Sequence, residues 1–528
     1  MIITTSTVAA LAVAAVSSAL LYFLHRLNTQ RKWYAENNVP RPPHDWLWGH
    51  AKLVGEYTQK ITGDYMQAAW TQLKYDFQLP EIFYLDMWPF GPEFIMCTGP
   101  DATAIATTIN VFPQADVVTR FFGRSIGETF IEATNLPLWK ELHQMLAPGL
   151  TPSATKTYHG LILDQAKNLH DRLQAKARSG EVFDMSEELG RYPFAIIWKV
   201  FFGEDLVKTD LYDITKRLAD ISPAVPSVNP VKNYLQKRER AAIVARLDAE
   251  MDKLAGGRFD EMRATKTLPT RTTATCLLDR MLLGHVQSGQ PLDERLMKLV
   301  RENGKGFLAA GYGTTTDTSS YIMMLLSAFP SALQTLREEH NRIFPPDLPA
   351  TLQSLSSNPS LTTDLPYTTA VIQETLRLFP IGMVVRSPPP GLTSFQHNGV
   401  TYPVKPTHYF GIMAYATHYD PSLFPSPSTF RPERFLTEKE IPRTAYRPFE
   451  RGLRSCIGQN LAMDEMRIAL VVLARYFDFE LCGHNPVPTQ RLGHTDLDTK
   501  LGDHAFQRSR FSAGPNGPAL MRVRLADR

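Results

Sequence analysis

The run from Ile2 to Leu24 carries no charged residue, and it fixes what the N-terminus can become. As a helix it spans roughly 35 Å, enough to cross a hydrocarbon core of about 30 Å with some tilt. His25, Arg26, Arg31 and Lys32 follow at once. The positive-inside rule places this flank in the cytosol and the N-terminus across the membrane. The alternative is a cleaved signal peptide, which usually carries positive charge ahead of its apolar stretch; none is present here. A retained, single-pass anchor is the expectation. Pro40-Arg41-Pro42-Pro43 comes next and favours an extended, stiff segment. The chain therefore divides into an anchor (1–26), a Pro-rich hinge (27–50) and one main domain (51–528).

That main segment is long enough for deep cores, and a chain with 43% hydrophobic and 21% charged residues is globular. A net charge of +3 leaves no nucleic-acid footprint. Cys97, Cys276, Cys456 and Cys482 are too scattered for a disulfide framework and suit a reducing, cytosol-facing environment. A helix is predicted over Tyr57–Tyr75, with short strands at Ile82–Leu85 and Glu93–Cys97. Helical patterning dominates from Asp164 to about Phe344, clearest over Asp279–Gln287, Asp293–Ala328 and Ser331–Ile343. Asn398-Gly399 marks a hairpin, and Ala519–Leu525 reads as a last strand. The fold class is mainly α with a minor β region.

One cysteine stands apart. In Arg447-Pro448-Phe449-Glu450-Arg451-Gly452-Leu453-Arg454-Ser455-Cys456-Ile457-Gly458 it sits in a loop, ahead of an amphipathic helix over Leu461–Tyr476. A thiolate at a helix start, flanked by glycines that admit a flat ligand, is a way to present sulfur to haem iron. The loop resembles the haem-binding signature of the cytochrome P-450 family, F-x-x-G-x-R-x-C-x-G. Phe449, Gly452, Arg454, Cys456 and Gly458 fill all five fixed positions. A chance match somewhere in the chain is on the order of 1 in 10,000.

The resemblance implies that Cys456 ligates the iron of haem b as an axial thiolate and that Phe449 shields it from water. Gly452 and Gly458 would let backbone approach sulfur and porphyrin, and Arg454 would pair with a propionate. Glu374-Thr375-Leu376-Arg377 matches the family's E-x-x-R; with Arg434 of Pro432-Glu433-Arg434-Phe435 it is expected to lock the core beneath the haem. Arg386 matches a propionate-binding arginine. Trp139 and His143 resemble W-x-x-x-R, with histidine where the family has arginine. Phe307–Asp317 is similar to the central-helix motif A-G-x-[D/E]-T-[T/S]. Gly311, Gly313 and three threonines are poor helix formers, which suits a local distortion beside the iron. Thr314 falls at the threonine that helps deliver protons to dioxygen, the alternative being a threonine bonded to its own i−4 carbonyl. Gly313 replaces the usual acid, and Asp317, one turn on, is the expected substitute.

The implied fold is the P-450 fold, a triangular helical body with a long central helix over the haem. The implied reaction inserts one atom of O₂ into a small apolar organic substrate. Its electrons come from NADPH through a separate flavoprotein reductase, at an endoplasmic-reticulum membrane with the catalytic domain facing the cytosol. The loops look like those of filamentous-fungal members, which suggests a tailoring step in secondary metabolite biosynthesis. Two other readings stay open here: desaturation, ring coupling or oxidative rearrangement at the same site, and a haem-thiolate sensor without turnover. Arg431, Arg434, Lys439, Arg443, Arg447 and Arg451 crowd the approach to Cys456 and are read as the electron-entry face. Phe121–Glu132 is expected to line the substrate pocket and Ala224–Val228 to form a lid.

Overall fold

The computed structural model describes residues 5–208, 210–222, 229–265, 268, 270, 273–437, 441–442, 444–485 and 496–526. The first helix, α1 (Thr5–Glu36), runs unbroken through the apolar stretch and ten residues beyond residue 26. It holds a segment, Leu11–Glu36, long and apolar enough to cross a membrane. The single helix expected over Tyr57–Tyr75 is two, α2 (Ala51–Lys60) and α3 (Met66–Asp76). They part because Gly63 takes a left-handed backbone (φ +83°) and lies against the Gln507 carbonyl, 2.4 Å from where a Cβ would stand.

Next come the strands β1 (Ile82–Asp86) and β2 (Glu93–Cys97), the short helix α4 (Leu138–Leu146) and the buried helix α5 (Met185–Phe202). The central helix is α6 (Glu294–Ala328), followed by α7 (Pro366–Leu378), the strand β3 (Val384–Arg386), the hairpin β4 (Ser394–His397) and β5 (Val400–Pro403), and β6 (His408–Ile412). Helix α8 (Gln459–Ala474) follows the cysteine loop, and β7 (Gln507–Ser509) pairs with β8 (Ala513–Pro515) near the C-terminus.

The main sheet runs β1-β2-β6-β3, with the β2–β6 pair parallel and its neighbours antiparallel. Period-two alternation sends Ile82, Tyr84, Ile95 and Phe410 to one face, with Tyr34 of α1. Phe83, Leu85, Phe94 and Met96 go to the other, with Trp70 and Leu73 of α3. The larger core gathers around α6, which Asp293 caps by accepting from the Leu296 N–H at 2.7 Å. Gly311 lets α5 lie against α6: a Cβ there would stand 2.6 Å from Ile197. That glycine serves helix packing. Helix α6 runs unbroken through Thr314, Thr315 and Thr316, and Thr314, Thr316 and Thr318 each return the hydroxyl to the i−4 carbonyl. Helix α8 is buried over most of its length, rather than amphipathic.

Candidate active site

The cysteine loop is built from below. Arg377 donates to both carboxylate oxygens of Glu374 (2.7 and 2.8 Å) and to the carbonyls of His418 and Pro427. Arg434 donates to the same carboxylate at 3.1 Å, and all three side chains are fully buried. The other E-x-x-R spacings do different things: Glu188 (of Glu188/Arg191) accepts from Arg172 at 2.9 Å, Glu339 (of Glu339/Arg342) accepts from the Tyr367 and Thr368 N–H groups at the start of α7, and Glu440/Arg443 lies outside the described residues. From this lock the wiring climbs. His418 contacts the Arg377 carbonyl through Nδ1 (3.1 Å) and the Arg447 N–H through Nε2 (3.1 Å). Nε2 must accept, so Nδ1 carries the proton and the ring is neutral. Burial holds its pKa down at about 3, in agreement. Arg447 then ties the loop to Glu450, Thr103 and Thr107.

Gly452 has φ +84°, and a Cβ on it would stand 2.1 Å from the Thr107 carbonyl. It brings the loop onto the helical segment that carries Thr107 and Thr108. Gly458 is 3.8 Å from the Cys456 sulfur at its would-be Cβ, an ordinary contact, so sulfur proximity does not require glycine there. The Cys456 N–H donates to the Phe449 carbonyl at 2.9 Å. The Cys456 sulfur is accessible, and the surface it meets is an interior cavity of about 400 Å³. Burial pushes its thiol pKa up, while N–H groups of Gly458 and Gln459 at the start of α8 pull it down.

The same cavity is lined by Ala310, Gly311 and Thr314 of α6, together with Phe122, Phe130, Phe307 and Phe511. Phe122, Phe130, Ile131 and Glu132 are the part of the 121–132 segment that lines it. The predicted lid at 224–228 lies outside the described residues. Thr314 reaches the wall with its hydroxyl donated to the Ala310 carbonyl (2.8 Å). Asp317 is half-buried and is not among the residues lining the cavity. Ser512, which does line the cavity, donates its hydroxyl to the Asp317 carboxylate. Gly514 makes room for that carboxylate, since a Cβ there would be 2.3 Å from it. Burial raises the Asp317 pKa to about 6.

At the cavity edge the Arg454 guanidinium stacks over the Trp139 ring at 4.8 Å and donates to the Thr134 carbonyl at 2.8 Å. Its Nη1 is buried with no hydrogen-bond partner among the described residues. Burial, then repulsion from Arg386, lowers its pKa to about 10. His143 also lines the cavity, its ring 4.8 Å from that of Trp139, and burial lowers its pKa. Arg386 stands back from the cavity lining and donates to Gln114. A haem fits this set: a sulfur facing apolar walls, and a buried guanidinium with a spare donor for a ring carboxylate.

One acid escaped the sequence reading, and Glu132 of the expected pocket segment has partners that reading did not give. Glu465, buried on α8, lines the cavity and pairs with Thr315, which neighbours Thr314. Its signal was available: an acid among apolar residues on a helix that begins at the cysteine loop. Glu132 hydrogen-bonds Gln114 at 2.9 Å near Arg386 and Arg454, a contact no sequence pattern encodes. The basic cluster needs correction. Arg434 and Arg447 are buried and engaged internally, Arg451 donates to the Tyr446 carbonyl, and Arg431 is half-buried; Lys439 and Arg443 lie outside the described residues. Arg434, Arg447 and Arg451 hold the loop together from within rather than facing solvent as free charges.

The family model described as Cytochrome P450 matches residues 40–499. Cytochrome P450 monooxygenase acrF of Aspergillus aculeatus is 31% identical over 493 residues, 87% of this chain and 97% of that protein. Cytochrome P450 monooxygenase polC of Polytolypa hystricis is 26% identical, covering 96% and 94%. Cytochrome P450 monooxygenase ptmJ of Penicillium ochrochloron is 27% identical, covering 87% and 88%.

Proposed function

Because this chain belongs to the cytochrome P450 family and is an oxidoreductase of its monooxygenase type, we propose that it is a membrane-anchored enzyme of the endoplasmic reticulum that inserts one oxygen atom of O₂ into a small apolar organic substrate. In this reading its electrons come from NADPH through a separate flavoprotein reductase, and the reaction is a tailoring step of fungal secondary metabolism. The observation that carries the reading is that Cys456 of the signature loop and Thr314 of the central helix line one aromatic-walled cavity.

Cys456 would hold the iron through its sulfur, with Arg454 and Trp139 on a ring carboxylate and His143 beside them. Bound haem supplies the activation of dioxygen. The chain's own residues supply the rest. The phenylalanines of the wall orient an apolar substrate and keep water out. Thr314 presents a hydroxyl that can leave its helical partner to hold a proton at Oγ1. Asp317 stands in for the acid missing at Gly313: its carboxyl reaches the cavity through Ser512, and a pKa of about 6 lets it take and return a proton near neutrality.

The reduced, CO-bound absorption spectrum tests the ligand: a red-shifted Soret band is expected, and a band at the position of imidazole-ligated haem refutes Cys456. Asp317→Asn and Ser512→Ala test the relay. Both are expected to divert NADPH electrons from product to peroxide or water, and normal coupling in Asp317→Asn would remove Asp317 from the mechanism.

A further inference from the structure

Helix α1 does not end where the apolar run ends. Leu27 and Tyr34 are fully buried against the main domain, and Arg31 is 7% exposed. The Arg31 guanidinium pairs with the buried carboxylate of Asp86 and donates to three backbone carbonyls: Trp46 (2.7 Å), Leu47 (3.1 Å) and Trp88 (2.9 Å). One side chain thus gathers two loops, 46–48 and 87–91, onto the helix. Tyr34 adds a bond to Glu93 at 3.1 Å, and His44 reaches Asp86 at 3.0 Å.

The gathered loops present aromatic surface outward. Trp46 is 53% exposed, Trp48 41% and Phe90 61%, and Leu47 is exposed beside them. Trp48 and Phe90 stack at 4.8 Å. Trp88 stacks on Phe23 of α1 at 5.7 Å, which sets these loops level with the last turn of the apolar run. Along the helix axis Arg31 lies about 10 Å beyond Leu24, on the scale of one headgroup layer. Tryptophan and other amphipathic rings favour that layer. Arg26 and Lys32 are exposed on the same stretch of helix, which suits anionic headgroups.

We propose that α1 and the loops clamped by Arg31 form a rigid seat on the bilayer, in which Trp46, Leu47, Trp48, Trp88 and Phe90 rest in the headgroup layer around the point where the helix enters the membrane. The angle of the main domain to the bilayer is then set by a continuous helix and its Arg31 clamp, rather than by the stiffness of the Pro-rich segment alone. This rests on the reading of the run before His25 as membrane-crossing.

The test uses the full chain in phosphatidylcholine vesicles carrying brominated acyl chains, which quench tryptophan emission at shallow depth. The chain has no tryptophan before Trp33, so lipid quenching reports the seat. Replacing Trp46 and Trp48 by Phe is expected to remove about two-thirds of the quenched emission, two of the seat's three tryptophans. Phe90→Trp at an exposed position is expected to add a quenched emitter, and Arg31→Lys, which loses the fork, is expected to lower that gain. Extraction of the chain from membranes by alkaline carbonate would refute the anchor. Retention with quenching unaffected by Trp46→Phe/Trp48→Phe, or an unquenched Trp at position 90, would overturn the seat and leave the anchor standing.

Discussion

Gly452→Ala is the substitution whose cost follows most directly from the structure. The glycine has φ +84°, and an alanine Cβ would lie 2.1 Å from the Thr107 carbonyl oxygen. The left-handed backbone costs a residue with a Cβ about 1–2 kcal/mol. Opening the contact by about 1 Å is an overpacking defect worth about 1–3 kcal/mol. The sum, about 2–5 kcal/mol, is within the net stability of a domain, so the protein folds with a loosened loop. In a chain this long each kcal/mol shifts Tm by about 1 °C, so a drop of about 2–5 °C is expected in circular dichroism melts. The loop carries Cys456, so the reduced, CO-bound spectrum should lose part of its red-shifted band. Gly452→Asn separates the two costs: asparagine tolerates the left-handed region but keeps the Cβ, so it should recover only the backbone share. An alanine variant with wild-type Tm and spectrum would refute the account, and an asparagine variant equal to wild type would refute its steric half.

Arg377→Ala leaves the buried Glu374 with the Arg434 guanidinium and the Arg431 N–H and strands the carbonyls of His418 and Pro427; a loss of about 3–5 kcal/mol is expected in urea midpoints, with Arg377→Lys intermediate. Acid should unfold the protein early. His50, His340 and His418 are held neutral by burial with pKa values of about 3, against 6.5 unfolded. Each therefore favours unfolding as pH falls through 6.5 towards 3, by about 2 kcal/mol at pH 5; a flat stability profile from pH 7 to 5 would contradict this. Arg454→Met removes the donor with the free Nη1, and haem transfer to apomyoglobin should quicken about ten-fold or more.

The readings that rested on short, dense patterns were legible in the chain. The strands at Ile82 and Glu93, the Asn398-Gly399 hairpin and the central helix appear where alternation and turn chemistry place them. The Glu374–Arg377 spacing needs only one helical turn to form its pair, and the five-residue loop motif puts Cys456 on the cavity wall. What failed depended on neighbours distant in sequence. The basic residues around Cys456 looked like a charged face, yet Arg434 and Arg447 point inward because a carboxylate and threonine hydroxyls from other segments satisfy them.

The amino-acid sequence by itself determined the cysteine loop, the apolar N-terminal run and the Glu374–Arg377 pair beneath the loop, because each is written in residues within one turn or one motif of each other. Only the tertiary structure decided what Gly452, Gly311 and Asp317 lie against. A glycine's purpose is the atom that would collide with its Cβ, here Thr107 and Ile197, from elsewhere in the chain. Asp317 gains access to the cavity through Ser512, 195 residues away, and Arg31 gains its clamp from Asp86. Such contacts are set by how helices and strands pack, and no local pattern of residue types records them.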